Sequence, residues 1–361
     1  MLNVNRCAVL FSLVTMFIEN RCHKCVSFNN ITLIVHQRYG DPFNITSFSG
    51  CIERVSFGDA SLTEIYIRQQ NVTSIGEDSI RHMVRLKTLV FWGCPVRNIS
   101  AGAIRNVPRL QNLQISYGNL ERIKEDIFNE VPTVQLLRLH DNAISVIENN
   151  AFSNLRKLKK IFMANNKLKQ WKNSWFTNTT NLEIIDFQKN QLEIIPRKAF
   201  NGMSHLKQLF LDYNEIKAIE EEAFKGIREL DYLGLRYNRL IDLDAKIFPN
   251  NLTVRSLLID ANYLNYLPNE LLEKLSVKDL TLDGNPWKCP CLDRIHYWLF
   301  SSNATLRTST YCTGSDIPLC SYPESYSQTC LENIDEQITR TYIDGLKQLK
   351  RPLRKFCARL D

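Results

Sequence analysis

A pattern of apolar positions recurs every 24 residues through most of the chain. In residues 206–229, apolar side chains stand at positions 1, 4, 6, 11, 14 and 19, and a lone asparagine stands at position 9. Eight intervals of 24 residues and a last interval of 23 give ten copies of this pattern, and a fixed period of this length indicates stacked repeats. Copies 1 to 10 begin at Leu62, Leu86, Leu110, Val134, Leu158, Leu182, Leu206, Leu230, Val254 and Val277.

The first positions of each copy predict a short β-strand. Apolar residues at positions 4 and 6 alternate with polar or variable residues at positions 3, 5 and 7. Because successive side chains of a strand point to opposite faces, this alternation buries one face and leaves the other open. Position 19 is apolar and mostly Phe, and we expect it to fill the core from the returning segment. One copy cannot bury its own apolar side, so the copies must stack into a solenoid with capped ends.

The asparagine at position 9 predicts a specific turn after each strand. Its amide both donates and accepts hydrogen bonds, so it can satisfy backbone groups that the turn leaves unpaired inside the stack. The first three copies carry Gln70, Cys94 and Gly118 at this position, and Gly118 offers no side chain for such bonds. The other seven copies carry Asn142, Asn166, Asn190, Asn214, Asn238, Asn262 and Asn285.

These residues resemble the leucine-rich repeat family in its extracellular, 24-residue form. The resemblance covers residues 62–285, and Cys94 is a small substitute often found at the asparagine position in that family. It implies an α/β solenoid, a horseshoe of about ten repeats whose concave side is lined by a parallel β-sheet. It also implies disulfide-rich caps, which we expect in residues 21–61 and 286–330.

The beginning of the chain predicts export. Residues 1–20 contain Arg6, then the apolar run of residues 7–18, and polar residues follow, which is the layout of a secretory signal peptide. Twelve apolar residues are too few to span a bilayer, and no second hydrophobic segment follows in the sequence. We therefore expect a secreted, extracellular protein without a transmembrane anchor.

Glycosylation signals agree with export. Seven Asn-x-Ser/Thr sequons are consistent with passage through the secretory route, and they predict a glycoprotein. None of those within the repeats falls at positions 2 to 8, so the predicted strands are left bare. The sequons are at Asn30, Asn44, Asn71, Asn98, Asn178, Asn251 and Asn303.

Most cysteines lie outside the repeats. The sequence NPWKCPC after the last copy resembles the cysteine-rich cap that closes extracellular leucine-rich repeat proteins. In that family the first cap cysteine pairs with the third and the second with the fourth. The resemblance therefore implies two bonds here, Cys289 with Cys312 and Cys291 with Cys330. Two interpretations stay open for the additional Cys320 and Cys357: they pair with each other, or Cys357 bridges to another chain.

Three cysteines precede the first repeat. Cys22, Cys25 and Cys51 are expected to form the N-terminal cap, and their odd number leaves one thiol over or paired elsewhere. We expect a disulfide that involves Cys25 and Cys51. Zinc is the alternative for the first two cysteines, but a matching second pair of ligands is missing from the sequence, and the compartment favours disulfides.

Residues 331–361 predict an amphipathic, basic helical tail. Apolar residues recur at helical spacing until Pro352 stops the run, and the helix either folds back on the cap or pairs with a partner helix. The apolar residues are Leu331, Ile334, Ile338, Tyr342, Leu346 and Leu349. The basic residues, which we interpret as a solvated helix face, are Lys347, Lys350, Arg351, Arg354, Lys355 and Arg359.

Composition and motifs argue against catalysis and nucleic-acid binding. The 361 residues are 44% apolar and 23% charged with a net charge of +7, which suits a packed protein and is only modestly basic. The six histidines form no zinc-protease helix motif, and neither a nucleophile elbow nor a phosphate loop is present in the sequence. We predict no enzyme, no cofactor and no metal site.

The open face of the predicted sheet is the candidate binding surface. Phe162, Phe210 and Leu258 are apolar at a position that the register turns toward solvent, and tyrosines and arginines surround them. Such mixtures are typical of protein-binding hot spots, although large rings also pack along a sheet as cross-strand neighbours. The candidate partner-binding residues are Tyr66, Trp92, Arg138, Phe162, Asp186, Phe210, Asp212, Tyr213, Tyr232, Arg236, Tyr237 and Asp260.

The predicted signal peptide, capped repeats and basic tail together are similar to the leucine-rich immune proteins of insects, particularly mosquitoes. The chain would belong to their short or coil-less type, because it has at most the beginning of a coiled coil. The resemblance implies innate defence by binding a secreted protein, such as another leucine-rich repeat chain, or a pathogen surface. The alternative is an extracellular adhesion, matrix or developmental ligand-binding protein with the same scaffold.

Overall fold

The repeats form one continuous β-sheet. The computed structural model of the chain describes residues 27–57, 61–310, 312, 319–323, 328–349, 353 and 356–360. Within them a 13-stranded sheet runs the length of the molecule. Its strands, in spatial order, are Phe43–Gly50, Phe28–Gln37, Leu62–Arg68, Thr88–Trp92, Asn112–Ser116, Leu136–Arg138, Lys160–Phe162, Ile184–Asp186, Gln208–Phe210, Glu229–Gly234, Leu252–Leu258, Leu275–Thr281 and Thr305–Leu306.

The register of the sheet is the one that the period predicts. Strands of successive copies pair in parallel, so that Leu209 stands beside Leu233 of the next copy. Leu209 and Leu211 are fully buried, whereas Phe210 between them is only half-buried. We call the sheet surface that carries positions 3, 5 and 7 the concave face.

The asparagines tie each copy to its neighbour. The Asn190 amide nitrogen donates to the carbonyl of Phe187 in its own turn and to that of Met163 in the preceding copy, each at 3.0 Å. Its side-chain oxygen accepts the Leu168 N–H at 3.1 Å. The amide therefore satisfies buried backbone groups of two copies at once. The same bridge to the preceding copy is made by Asn142, Asn166, Asn214, Asn238, Asn262 and Asn285.

The first three copies replace this bridge in different ways. The side-chain oxygen of Gln70 accepts the Thr32 N–H at 3.0 Å and so ties the first copy to the N-terminal cap. The thiol of Cys94 is buried and donates to the Ile67 carbonyl at 3.4 Å. At Gly118 a Cβ atom would stand 2.6 Å from the carbonyl oxygen of Cys94, so the turn there leaves no room for a side chain.

Aromatic rings form the core behind the sheet. The phenyl rings at position 19 stack from copy to copy, with centroids 5.7 Å apart for Phe128 and Phe152 and 4.9 Å apart for Phe224 and Phe248. Trp171 joins the column between the rings of copies 5 and 6. Its ring lies 5.7 Å from that of Phe176 and 5.0 Å from that of Phe200.

Outside the main sheet, the regular elements of the returning segments, the caps and the tail are mostly short. Short parallel strands pair between neighbouring copies, and three 3₁₀ turns and three helices occur within the described residues. The short strands are Ile52–Glu53, Ser74–Ile75, Ile80–Arg81, Asn98–Ile99, Ile104–Arg105, Arg122–Ile123, Val146–Ile147, Ile194–Ile195 and Ala218–Ile219. The 3₁₀ turns are Arg54–Phe57, Asn173–Phe176 and Ala245–Ile247. The helices are α1 (Asn269–Lys274), α2 (Cys289–Ser301) and α3 (Glu336–Lys347).

An antiparallel hairpin caps the first copy. Strand Phe28–Gln37 pairs with Phe43–Gly50 on one side and with the strand of the first copy on the other. Cys51, which follows the hairpin, is disulfide-bonded. Cys22, Cys25 and the predicted signal peptide, residues 1–20, lie outside the described residues.

The cysteines of the C-terminal cap pair differently from the family order. Cys291 bonds to Cys330, as the resemblance implies, but Cys289 bonds to Cys320 rather than to Cys312. The physical reason is local backbone pairing. Ser321 accepts the N–H of Cys289 at 3.0 Å, and this brings the neighbouring Cys320 beside the start of α2.

The remaining pair corrects both interpretations of Cys357. Cys357 bonds to Cys312 within the same chain, so it pairs neither with Cys320 nor with another chain. Both sulfurs belong to residues that are almost completely buried. Residues 356–360, which we call the strap, are thereby fixed to the cap.

The tail folds back onto the molecule. Helix α3 begins where the Asp335 carboxylate accepts the Ile338 N–H at 3.0 Å, so Leu331 and Ile334 precede the helix and remain exposed. The buried face of α3 carries Ile338, Tyr342 and Leu346, and the last two contact Ala358 of the strap. Of the predicted basic face, Arg359 is buried rather than solvated, and several of the other positions lie outside the described residues.

Candidate functional site

The concave face is less open than its register predicts. Tyr66, Arg138, Phe162, Phe210 and Tyr232 are half-buried and contact solvent with part of their side chains. Burial first, and then a hydrogen bond of 2.6 Å from Tyr66 to Glu64, raises the pKa of Tyr66 to about 12. At positions 5 and 7, Asp186, Leu258, Asp212 and Asp260 are almost completely buried.

The middle of the face carries a cation over an aromatic ring. The guanidinium carbon of Arg138 lies 5.5 Å from the ring centroid of Phe162 in the next copy. Burial lowers the pKa of Arg138 from its ordinary value. A cation that is held over a ring in this way keeps a defined geometry, which favours specific contacts with a partner.

Two rings of the face stack on each other and cover a carboxylate. Phe210 and Tyr232 lie with ring centroids 4.4 Å apart at an interplanar angle of 28°. The Tyr232 hydroxyl donates to Oδ2 of Asp212 at 3.2 Å. Burial, followed by the charge of Asp212, raises the pKa of Tyr232 well above its usual range, so the hydroxyl stays a donor.

Asp212 occupies a hollow that a glycine leaves. Asp212 is 2% exposed, and a Cβ at Gly234 in the adjacent strand would collide with its carboxylate. The Arg236 backbone N–H donates to Oδ1 of Asp212 at 3.1 Å. Burial raises the pKa of Asp212 to about 7, although the charge and N–H of Arg236 oppose the shift.

A second buried carboxylate lies two copies further on. Asp260 is paired with the Arg236 guanidinium, with Nε and Oδ1 3.3 Å apart, and Oδ1 also accepts the Thr281 hydroxyl. Asp186, two copies before Arg236, accepts the Gln188 N–H at 3.1 Å, and burial raises its pKa. These carboxylates belong to strands of the concave face but are covered by neighbouring side chains. A partner would therefore contact the half-buried Arg236 and aromatic rings rather than the carboxylates.

The strap covers two residues that the sequence assigns to partner binding. The Phe356 ring lies edge-on against Tyr213 and Tyr237, with centroids 4.9 and 5.0 Å away. Tyr213 and Tyr237 are therefore already in contact with their own chain. The sequence predicted both tyrosines as open partner-binding residues and did not predict their contact with Phe356.

A buried arginine fastens the strap. The Arg359 side chain is 4% exposed and lies over the Tyr237 ring at 5.5 Å. It donates to the Asn214 carbonyl at 2.9 Å and pairs with the Glu215 carboxylate at 2.6 Å. A buried charge needs such pairing, and here the strap finds it on the edge of the seventh copy.

The open aromatic row lies in the first half of the molecule. Tyr117 is 50% exposed, and its ring centroid is 5.4 Å from that of Trp92 and 5.3 Å from that of His140. Trp92 is among the binding residues predicted from the sequence, whereas Tyr117 is not. The signal was available, because Tyr117 stands at position 8, as do Tyr213 and Tyr237.

The sequons within the repeats lie outside the concave strands. The asparagines of all seven sequons are exposed, and none of those within the repeats lies on the concave strands. In the part of the chain that the structure describes, no three His, Cys, Asp or Glu side chains are grouped to hold a metal ion. Across the same residues, the helices are too short or too polar to cross a membrane.

Comparison with known protein families decides the class. A sequence profile described as "BspA type Leucine rich repeat region" matches residues 18–135 and 50–183, and one described as "Leucine rich repeat" matches residues 180–240. The chain is a leucine-rich repeat protein. A mouse relative, leucine-rich repeat-containing protein 19, is 40% identical to this leucine-rich repeat protein over 55 residues. That match spans 15% of this chain and 14% of the mouse protein.

Solved structures show the same fold. The Drosophila Toll–Spatzle complex matches with a TM-score of 0.59 and 17% identity, over 76% of this leucine-rich repeat protein and 42% of that chain. Mouse RP105 in its complex with MD-1 matches with a TM-score of 0.58 and 19% identity. This match covers 74% of this leucine-rich repeat protein and 46% of the RP105 chain. A chain from a complex of Latrophilin 3, Unc5D and FLRT2 matches with a TM-score of 0.52 and 20% identity. This match covers 79% of this leucine-rich repeat protein and 93% of that chain. The identities are low, so these likenesses establish the fold alone.

Proposed function

We propose that this chain is a secreted, non-catalytic recognition protein that binds another protein through its concave face. Among its structural neighbours, Toll is in complex with Spatzle and RP105 is in complex with MD-1. Three disulfides in the cap and seven exposed sequons suit an oxidising, extracellular compartment. The domain limits predicted from the sequence, residues 21–61, 62–285, 286–330 and 331–361, are part of this proposal.

The observation that carries the proposal is the row of half-buried side chains along the concave face. Arg138 over Phe162 and Phe210 on Tyr232 present rings and a guanidinium that are held in place by their neighbours. The core behind the sheet does not require these side chains, because positions 4 and 6 already fill it. Pre-ordered aromatic and arginine side chains lose little entropy on binding, which is why they dominate binding energies at interfaces.

A more specific proposal is a role in insect innate immunity, in which the partner is a secreted protein or a pathogen surface. It rests on the resemblance to short leucine-rich immune proteins described above. The rival is an adhesion, matrix or developmental protein on the same scaffold. Expression that rises after infection favours the first, and steady deposition at cell boundaries favours the second.

Purification from host body fluid tests the binding proposal. A tagged chain should copurify with a partner, and Phe162→Ala together with Arg138→Ala should weaken that partner's binding by about 2–4 kcal/mol. Phe300→Ala is the matched control, because Phe300 is an exposed phenyl ring on α2, away from the concave face. Equal affinity of the double variant and the control, with unchanged melting temperatures, would assign the rings to packing alone.

A further inference from the structure

Position 8 forms a continuous edge beside the concave face. In copies 3 to 9 its residue has a left-handed backbone, with φ between 53° and 58°, so the side chains of this position follow one another along the sheet. We call this row the position-8 edge. Its members in copies 3 to 10 are Tyr117, Asp141, Asn165, Lys189, Tyr213, Tyr237, Ala261 and Gly284.

The last four copies show what this edge binds. The strap lies on them, and Gly284 lacks a Cβ where the Cys357 carbonyl passes. The Phe356 ring and the Arg359 guanidinium both contact Tyr237, at 5.0 and 5.5 Å from its ring centroid. Tyr237 thus receives an aromatic ring and a cation from residues three apart in one segment. The cation in turn pairs with Glu215.

The first half of the edge also offers an aromatic ring and a carboxylate. Here the carboxylate stands at position 8 of the copy after the ring, whereas Glu215 stands at position 10 of the copy before Tyr237. Tyr117 is half-exposed, and Trp92 and His140 flank its ring. The carboxylate of Asp141 stands at the next place along the edge, one strand spacing of about 5 Å away. Its oxygens accept from the Asn165 amide and lie 2.7 Å from Nδ1 of His140, and its side chain stays partly exposed.

The geometry points to a peptide-binding site on copies 2 to 4, at the position-8 edge. Its ligand is an extended segment of another protein that carries an aromatic side chain and, three residues later, an arginine. Trp92 and Tyr117 receive the ring in edge-to-face contact, and Asp141 receives the guanidinium. The site rests on the proposed function, since it specifies which part of the surface a protein partner contacts and with what chemistry.

The ligand is not the strap of a second copy. Cys357 is fully buried and bonded to Cys312, so each strap stays on its own chain. Aromatic pairs contribute binding energy beyond the area that they bury, and a partly exposed arginine–carboxylate pair adds a smaller contribution. A partner segment therefore gains affinity and orientation from this site, while the concave face supplies further contacts.

A synthetic peptide tests the site without the natural partner. The probe is a fluorescent peptide with the sequence of residues 353–360 and serine in place of Cys357, titrated with the oxidised full chain. Tyr117→Ala should weaken binding about fivefold to tenfold, and alanine for Phe356 in the peptide should weaken it equally. Because both changes remove the same ring contact, combining them should add little further loss.

Two controls establish whether the peptide binds at Tyr117. Tyr297→Ala removes an exposed tyrosine of α2 and should leave the affinity unchanged, and thermal unfolding checks that Tyr117→Ala still folds. Undetectable binding of the peptide to the unaltered chain overturns the site. So does equal binding to Tyr117→Ala, which would mean that the peptide displaces the strap from Tyr237. Either result leaves the copurification test of the concave face standing.

Discussion

The buried carboxylate of Asp212 should make the stability of the molecule depend on pH. Asp212 is 2% exposed and accepts hydrogen bonds from the Tyr232 hydroxyl and the Arg236 N–H. Burial raises its pKa from 3.8 to about 7. Between these values the folded chain holds a proton that the unfolded chain releases. The free energy of unfolding therefore falls as pH rises from about 4 to about 7, and this contribution is constant above pH 7.

The size of the effect follows from the shift. One pKa unit corresponds to about 1.4 kcal/mol, so a shift of about three units corresponds to about 4 kcal/mol between the two ends of the window. Asp212→Asn removes the ionisation but keeps a side-chain oxygen that can accept the Arg236 N–H. The variant should be more stable than the unaltered chain at pH 8, by about 2–4 kcal/mol, because it loses the attraction to Arg236 but avoids a buried charge.

Urea unfolding with the disulfides intact, monitored by circular dichroism, measures the free energy of unfolding of both chains at several pH values from 4.5 to 8. The stability of Asp212→Asn should vary less with pH than that of the unaltered chain. Asp126→Asn, which changes an exposed aspartate, serves as the control and should leave the pH dependence as it was. The reasoning is refuted if Asp212→Asn is destabilised at pH 8 and keeps the full pH dependence, because Asp212 would then be a stabilising partner of Arg236.

Two further predictions concern the ladder and the cap. Asn190→Ala should lower the free energy of unfolding by about 3 kcal/mol, because the carbonyls of Met163 and Phe187 lose a buried donor; a loss below about 0.5 kcal/mol in urea titrations would contradict this. Proteolysis without reductant, followed by mass spectrometry, should recover a fragment that joins the peptide of Cys289 and Cys291 to Cys320 and Cys330, and a fragment that joins this peptide to Cys312 would disprove the pairing.

The repeat architecture was predictable because its determinants are local and periodic. The alternation that turns Leu209 inward and Phe210 outward can be read within one copy, and the chemistry of one amide predicts the role of Asn190. The period then extends the same assignment to every copy. Position 8 has the same left-handed backbone in copies 3 to 9. Because Tyr117 and Tyr237 share this position, aligning the copies would have identified the aromatic edge from the sequence.

What the sequence did not predict depends on distant contacts. The strap joins Arg359 to Asn214 across 145 residues, and no periodic pattern records such a contact. The burial of Asp212 depends on the empty space at Gly234 in the neighbouring strand, which the position pattern alone does not distinguish from an open surface. The cap pairing follows from the backbone bond between Cys289 and Ser321, and counting cysteines could not supply it.

The strap also sets a rule for how such a molecule can change in length. Each amide of the ladder joins only adjacent turns, so whole 24-residue units can be gained or lost among the early copies while every bridge is rebuilt. The strap instead spans a fixed distance from its disulfide at Cys312 in the cap to Glu215 of the seventh copy. Inserting a unit between Glu215 and the cap would separate these two attachment sites by more than the strap can span. Lineages of this chain should therefore vary in the number of units before the seventh copy and keep the last four constant.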